Sequence, residues 1–294
     1  MAREWVGRML YREGVLRAPW RILFYFFFLF IISVPGQYVV NVLPRHPLEW
    51  GSRIVTLAAV LLAGSISLYQ FDRRRPGALG FGLHRALIRE IATGFAVGFS
   101  LAIALAILLG LTGSLNLIAE GGSAGTWLWF LVWTLVYFAL SAALEEALFR
   151  GYPFQVMAAA LGPVPGVIAS AGTFVFNPGA NALALGNAFL AGVVLCIAYL
   201  RTRSLWFTTG LHLAWNWAIG SLFDLPLSGL SFDAPLYAGN LSGSTLLTGG
   251  TFGPEAGLAA TLVLASGALA LAGSRAIHES ESTRRLRPLV DERP

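Results

Sequence analysis

Eight long runs of apolar residues constrain the fold of this chain more than any other feature. A helix that crosses a bilayer needs about 20 mostly apolar residues. The candidate segments are residues 20–43, 51–71, 91–112, 126–149, 164–177, 182–200, 204–223 and 256–274. The fifth is short and is bracketed by prolines, so we expect it to be tilted, kinked or partly re-entrant. The pattern predicts an all-α fold, a polytopic membrane helix bundle with about eight transmembrane helices.

The composition agrees with a membrane protein. The chain is 56% hydrophobic and only 12% charged, whereas a soluble domain carries about 25% charged residues. The apolar segments leave no room for a separate soluble domain, and we expect a multi-pass protein of the cell (plasma) membrane, in contact with the lipid bilayer. The formal charge of +5 comes from arginines spread between apolar segments. We therefore expect no nucleic-acid partner.

The distribution of arginine predicts the orientation. The chain has no lysine, and its arginines concentrate in alternate connections and at both termini. Because cytoplasmic loops are enriched in basic residues, we expect both termini in the cytoplasm (N-in/C-in) and the 224–255 stretch as a loop against the outer face. The basic N-terminus precedes a long apolar run without a clear cleavage site, so we expect a retained signal anchor. The arginines on the predicted cytoplasmic side are Arg3, Arg8, Arg12, Arg17, Arg21, Arg73, Arg74, Arg75, Arg85, Arg89, Arg150, Arg201, Arg203, Arg275, Arg284, Arg285, Arg287 and Arg293.

Two adjacent glutamates lie near the end of the fourth apolar segment, in "SAALEEALFRGY". On a helix, Glu146 and Arg150 are four residues apart and share a face, whereas Glu145 points about 100° away. A charge at mid-bilayer costs roughly 2.5–3.5 kcal/mol on insertion scales. Arg150 can offset this cost for Glu146, and Glu145 must face protein or water. An interfacial ion pair that anchors the helix end is the structural alternative.

The seventh segment carries His212 and Asn216, again four residues apart on one helical face. At about 1.5 Å per residue, Glu145 lies ~8 Å and His212 ~13 Å from the arginine-rich ends of their segments. A glutamate side chain and one water can bridge that difference. We therefore expect Glu145, His212 and Asn216 to meet in one polar cavity that opens to the cytoplasm.

These residues resemble the motifs of the CPBP intramembrane proteases, the CAAX-processing and bacteriocin-processing enzymes also called the ABI family. "EEALFR" is similar to the EExxxR motif and "HLAWN" to the HxxxN motif, and the resemblance covers roughly residues 125–222. It implies an endopeptidase that cleaves a peptide or a membrane-anchored protein near the cytoplasmic face. Glu145 would activate a water, Glu146 and Arg150 would support it, and His212 and Asn216 would stabilise the oxyanion. It also divides the chain into N-terminal helices 1–3 (1–124), a catalytic core (125–222), and an outer loop, helix 8 and cytoplasmic tail (223–294).

One position departs from the family pattern. The second motif of the family is FxxxH, and registering it on "NPGAN" places Ser170 at its phenylalanine and Phe174 at its histidine. A zinc site needs about three protein ligands, so this set disfavours zinc and we expect no cofactor. Thr173 or Asn177 can replace the missing polar group.

Two other functions stay open at this point. Without the histidine, the chain can be a non-catalytic homologue that binds a peptide or acts as an immunity protein. The second is a transporter with Glu145, Glu146 and His212 as a proton relay, although the sequence shows no inverted repeat in its support.

Overall fold

The computed structural model describes residues 10–12, 15–42, 48–173, 175 and 180–291. Within these ranges the fold is a bundle of nine helices of ten or more residues. They are α1 (Ala18–Val42), α2 (Leu48–Asp72), α3 (Leu87–Leu111), α4 (Ala124–Arg150), α5 (Tyr152–Leu161), α6 (Pro163–Thr173), α7 (Ala182–Thr202), α8 (Leu205–Trp217) and α9 (Leu258–Gly273).

The predicted all-α membrane bundle is confirmed, and each of the eight predicted segments contains a helix. Five stretches of the described chain are long and apolar enough to cross a membrane: Ala18–Val42, Trp50–Asp72, Leu87–Leu111, Ala124–Leu161 and Ala182–Thr202. The helices α6, α8 and α9 are shorter than these. A π-helical turn, Ala218–Leu222, extends α8. The prediction omitted α5, which follows α4 after a sharp backbone turn at Gly151.

A small antiparallel sheet adds to the helical fold. Strand β1 (Leu115–Ala119) pairs with β2 (Tyr237–Leu241), with Leu115 opposite Leu241. The sheet joins the α3–α4 connection to the 224–255 stretch, both of which were predicted as loops. The 224–255 stretch also buries Leu225 and Leu227 against the bundle. The 224–255 stretch is therefore an ordered cap on the end of the bundle where the sheet lies.

Helices α3 and α8 pack through direct backbone contact. A Cβ atom added at Gly94 would lie 2.0 Å from the carbonyl oxygen of Phe207, and one at Gly98 would lie 2.1 Å from that of Leu211. Glycines four residues apart let two membrane helices approach this closely. The contact fixes the position of α8, which carries His212.

The arginine-rich connections gather at one end of the bundle. There Arg21 of α1 forms an ion pair with Asp72 of α2, and Asp72 also accepts a hydrogen bond from Tyr152 of α5. The C-terminal segment folds onto the same end, where Ser280 and Thr283 donate hydrogen bonds to Glu90 of α3. The sheet lies at the other end of the bundle. The membrane side that each end faces stays a prediction.

Candidate active site

The fourth helix holds Glu146 inside the protein. Glu146 is fully buried and its Oε1 lies 3.2 Å from a terminal nitrogen of Arg150, which is 1% exposed. The predicted i, i+4 pair therefore forms. It is a buried pair and not an interfacial one, because α5 covers the end of α4. Arg150 consequently does not mark a membrane face, which corrects its use in the arginine pattern.

Glu146 also holds His212 of α8. Its Oε1 lies 3.0 Å from His212 Nδ1. When Nδ1–H donates to this carboxylate, the hydrogen bond fixes the tautomer and the orientation of the ring. Buried carboxylates fix functional histidines in other proteins in the same way. Nε2 is then the ring nitrogen on the side of Glu145.

The neighbouring Glu145 faces a cavity. Its Oε2 lies 3.8 Å from His212 Nε2, and its side chain is 38% exposed. At this separation the two atoms are too far apart for a direct hydrogen bond, but one water can contact both. The structure therefore brings both predicted glutamates to the same imidazole, one on each ring nitrogen.

Asn216 lies one helical turn beyond His212. It lines a small void of about 50 Å³ together with His212 and Trp215. The predicted His–Asn pair thus shares one face of α8, as its spacing required. The same void is bordered by α3, α7 and α9.

The cavity beside Glu145 has a volume of about 430 Å³. Side chains of α4, α6, α7, α8 and α9 line it, together with Ser228 and Phe252 of the 224–255 cap. The cavity therefore adjoins the end of the bundle that carries the sheet. The cytoplasmic opening was expected at the arginine-rich end, where α5 and the C-terminal segment pack together. The membrane side that the cavity faces stays a prediction.

The structure describes some of the positions that correspond to the FxxxH motif and its neighbours. Ser170 is buried on α6, and its hydroxyl donates to the carbonyl of Phe149 at 3.3 Å. Thr173, at the end of α6, lines the cavity with Glu145. Phe174 and Asn177 lie outside the described residues. The histidine position of this motif therefore stays a sequence-based assignment.

Comparison with known families gives one finding. Residues 127–218 match the model of the family described as type II CAAX prenyl endopeptidase Rce1-like. This match confirms the predicted resemblance to the CAAX intramembrane proteases. It covers about a third of the chain, from the first turn of α4 to the end of α8, and includes all five predicted site residues. No curated protein matches the chain.

A carboxylate that was not predicted from the sequence lies outside the Rce1-like segment. Glu255, in the turn Pro254–Ala256 just before α9, lines both the cavity and the small void. Its carboxylate accepts hydrogen bonds from Trp215 and Ser228. In the sequence, the one feature that points to Glu255 is its position as an acidic residue directly before an apolar helix, in a stretch that was predicted as a loop.

Asn187 is a second polar residue near the cavity that was not predicted from the sequence. It lies within the Rce1-like segment, on α7, and is 3% exposed. Its amide nitrogen donates to the backbone carbonyls of Glu255 and Gly257, and its oxygen accepts from Thr261. Asn187 therefore ties the Rce1-like segment to the start of α9.

Most of the side-chain atoms in the site that could coordinate a metal ion are oxygens, and the site has one imidazole. Among the described residues, no group of three or more histidine, cysteine, aspartate or glutamate side chains is arranged to hold a metal ion. Each glutamate contacts a different nitrogen of the His212 ring, Glu145 at Nε2 and Glu146 at Nδ1. Arg150 supplies the positive charge that the buried Glu146 faces.

Proposed function

We propose that the protein is an intramembrane endopeptidase of the CAAX-protease type and that Glu145 activates the attacking water. One observation carries this proposal. A partly exposed carboxylate, Glu145, lies 3.8 Å from His212 Nε2 on the wall of a cavity, while the buried Glu146 holds the other ring nitrogen. A base and a hydrogen-bond donor are thus fixed side by side, the geometry that acyl transfer to water requires.

The proposed reaction uses two proton transfers. Glu145 takes a proton from water as the water oxygen bonds to the peptide carbonyl carbon. His212, flanked by a carboxylate on each nitrogen, can carry a proton on Nε2 and donate it as a hydrogen bond to the oxyanion. Glu145 then returns its proton to the amide nitrogen as the C–N bond breaks.

The remaining site residues act in support. Glu146 orients His212, and Arg150 balances the buried charge of Glu146. Asn216, on the same face of α8 as His212, would supply a second donor to the oxyanion. Glu146 and Arg150 are positioning residues in this scheme, since both are buried behind the imidazole.

The proposed substrate is a peptide or a membrane-anchored protein. A cavity of about 430 Å³ lies within the usual range for ligand sites and can hold a few side chains around one peptide bond. We place the protein in the cell membrane with its arginine-rich end in the cytoplasm. In that orientation the cavity adjoins the opposite side.

A second function is favoured by Phe174. The family's second motif has a histidine at this register, and loss of a group that positions a water costs about 10²–10⁴-fold in rate. A homologue that binds a peptide without cleaving it is the alternative consistent with this difference.

Cleavage of a peptide library by the purified full-length protein tests the proposal. We expect product from the unmodified protein and a loss of about 10²–10⁴-fold in Glu145→Gln. Binding of the same peptides by both proteins, without product from either, would support the non-catalytic alternative. Product formation that is equal in the two proteins would refute the role of Glu145.

A further inference from the structure

Glu255 places a second carboxylate on the wall of the cavity that contains Glu145. It also borders the small void beside His212 and Asn216. Glu255 has no role in the proposed proton transfers, and it comes from outside the Rce1-like segment. Its position beside the reacting groups makes it available to a bound substrate.

The side chain of Glu255 is held in place from two directions. Trp215 Nε1 donates to its Oε1 at 3.2 Å, and Ser228 Oγ donates to its Oε2 at 2.7 Å. The amide nitrogen of Asn187 donates a hydrogen bond to the backbone carbonyl of Glu255 at 2.8 Å. Each carboxylate oxygen can accept about two hydrogen bonds, so each keeps capacity for a ligand. The carboxylate is preorganised and still able to bind.

The charges on the cavity wall have one sign. Among the described residues that line it, the charged ones are Glu145 and Glu255. The nearest buried arginine, Arg150, faces Glu146 behind the imidazole. The rest of the lining is mostly apolar, and attraction between opposite charges is stronger in such surroundings than in water. The cavity therefore favours a cation.

We propose that Glu255 is a specificity-determining residue that selects substrates with a protonated amine or guanidinium close to the scissile bond. The inference rests on the proposed peptidase function. The positive group would come from a lysine or arginine side chain or from a free amino terminus. It would form a charge-assisted hydrogen bond with Glu255 while the peptide bond lies beside Glu145.

Four fluorescent peptides test this inference by binding. Each is a ten-residue peptide of alanine, serine and leucine, with either lysine or norleucine at its centre and either a free or an acetylated amino terminus. Norleucine keeps the aliphatic chain of lysine without the amine. Dissociation constants are measured by fluorescence anisotropy with full-length protein that carries Glu145→Gln, so that the peptides are not cleaved.

Three further proteins complete the test. Glu255→Gln keeps an oxygen that can accept from Trp215 and an amide that can donate to Ser228, so the local structure should persist. Glu255→Asp keeps the charge. Asp233→Asn is the matched control, because it removes one negative charge from the same 224–255 cap at a residue that lines a different pocket.

We expect a cationic peptide to bind about 10- to 100-fold more tightly than its neutral partner, the usual strength of a hydrogen bond to a charged group. The acetylated and norleucine arms identify which amine is responsible. Glu255→Gln should abolish the difference, Glu255→Asp should retain part of it, and Asp233→Asn should retain all of it. Equal affinities for all four peptides, no binding of any peptide, or a preference that survives Glu255→Gln would overturn the inference.

Cleavage by the unmodified protein separates the two proposals. A charge preference in binding without cleavage of any peptide would leave the role of Glu255 standing and refute the peptidase. Cleavage of charged and neutral peptides at equal rates, with equal affinities, would leave the peptidase standing and refute the role of Glu255.

Discussion

Glutamine substitutions at the two adjacent glutamates should affect different properties, with Glu146→Gln lowering the stability and Glu145→Gln lowering the rate of cleavage. Glu146 is fully buried and its Oε1 lies near both Arg150 and His212. Glu146→Gln keeps the shape of the side chain and removes its charge. The buried Arg150 then loses the carboxylate that it faces, and His212 loses the charged acceptor that orients it.

The distance sets the size of the effect on stability. At 3.2 Å and an effective dielectric constant of about 20, the attraction between two unit charges is about 5 kcal/mol. Removing one partner of a buried ion pair costs about 3–5 kcal/mol in measured cases. For a chain of this size, we expect Glu146→Gln to lower the melting temperature by on the order of 10 °C.

Glu145→Gln is the matched comparison on the same helix. The side chain of Glu145 is 38% exposed in the cavity, and its Oε2 lies 3.8 Å from His212 Nε2, which carries a charge only when the imidazole is protonated. We expect its melting temperature to stay within about 2 °C of the unmodified protein, as for most exposed substitutions. Its rate of peptide cleavage should fall by about 10²–10⁴-fold.

Differential scanning fluorimetry in one detergent and cleavage of one reporter peptide measure both effects. The double variant Glu146→Leu/Arg150→Leu adds a third test, because replacing a buried ion pair by apolar residues is often neutral. It should recover part of the melting temperature without recovering cleavage. Equal melting temperatures for Glu145→Gln and Glu146→Gln would refute the division of roles between the two residues.

Four further predictions follow from other parts of the structure. Gly98→Leu should prevent folding or lower the melting temperature by several degrees, since its Cβ would lie 2.1 Å from a backbone oxygen of α8. Phe174→His should raise the cleavage rate, or create cleavage, if the residue replaces a histidine that positions the water. Asp224→Asn should raise the melting temperature by about 1 °C at pH 7, because burial raises the pKa of the Asp224 carboxyl and so disfavours its charge. Reporters fused after Arg89 and after Asp233 should report opposite sides of the membrane.

Each of these predictions has its own control. Gly110→Leu lies on the same helix with open space around it and should fold normally; equal damage would refute the packing argument. The gain in Phe174→His should vanish when Glu145→Gln is added. For Asp224 the folded carboxyl binds its proton more readily than the unfolded one. The difference from Asn should therefore disappear below about pH 4, the usual pKa of an unfolded aspartate, and a constant difference would contradict it. Reporters on the same side would refute the predicted topology.

The parts of the site that the sequence predicts correctly depend on helical spacing alone. The contact between Glu146 and Arg150 follows from their separation of four residues within α4. The alignment of His212 with Asn216 follows in the same way within α8. The distance of each residue from the arginine-rich end of its helix then predicts that Glu145 and His212 are close enough to meet through one water, and their side chains lie 3.8 Å apart. These inferences need only the rise and the period of an α-helix.

The direction of the cavity could not be predicted by the same reasoning. Depth along a helix gives no information about which end of the bundle is filled. Two features fill the arginine-rich end, the unpredicted α5 and the C-terminal segment. Glu255 was also out of reach, because its contact with Trp215 joins a loop to α8 across a long separation in sequence, and only the tertiary fold determines it.

The closed end of the bundle explains why Glu145 and Glu146 differ so strongly in exposure. Gln155 of α5 donates to the backbone carbonyls of Ala78 and Leu79 and accepts from the amide of Leu289. These buried hydrogen bonds join α5, which directly follows α4, to the α2–α3 connection and the C-terminal segment in one layer. Water is therefore excluded on the side that Glu146 faces, where a buried charge must be paired. Glu145, turned by about 100° on the same helix, reaches the cavity on the other side of the imidazole. On that side a water can contact a carboxylate and the imidazole together, in keeping with the proposed roles of Glu145 as the base and Glu146 as its support.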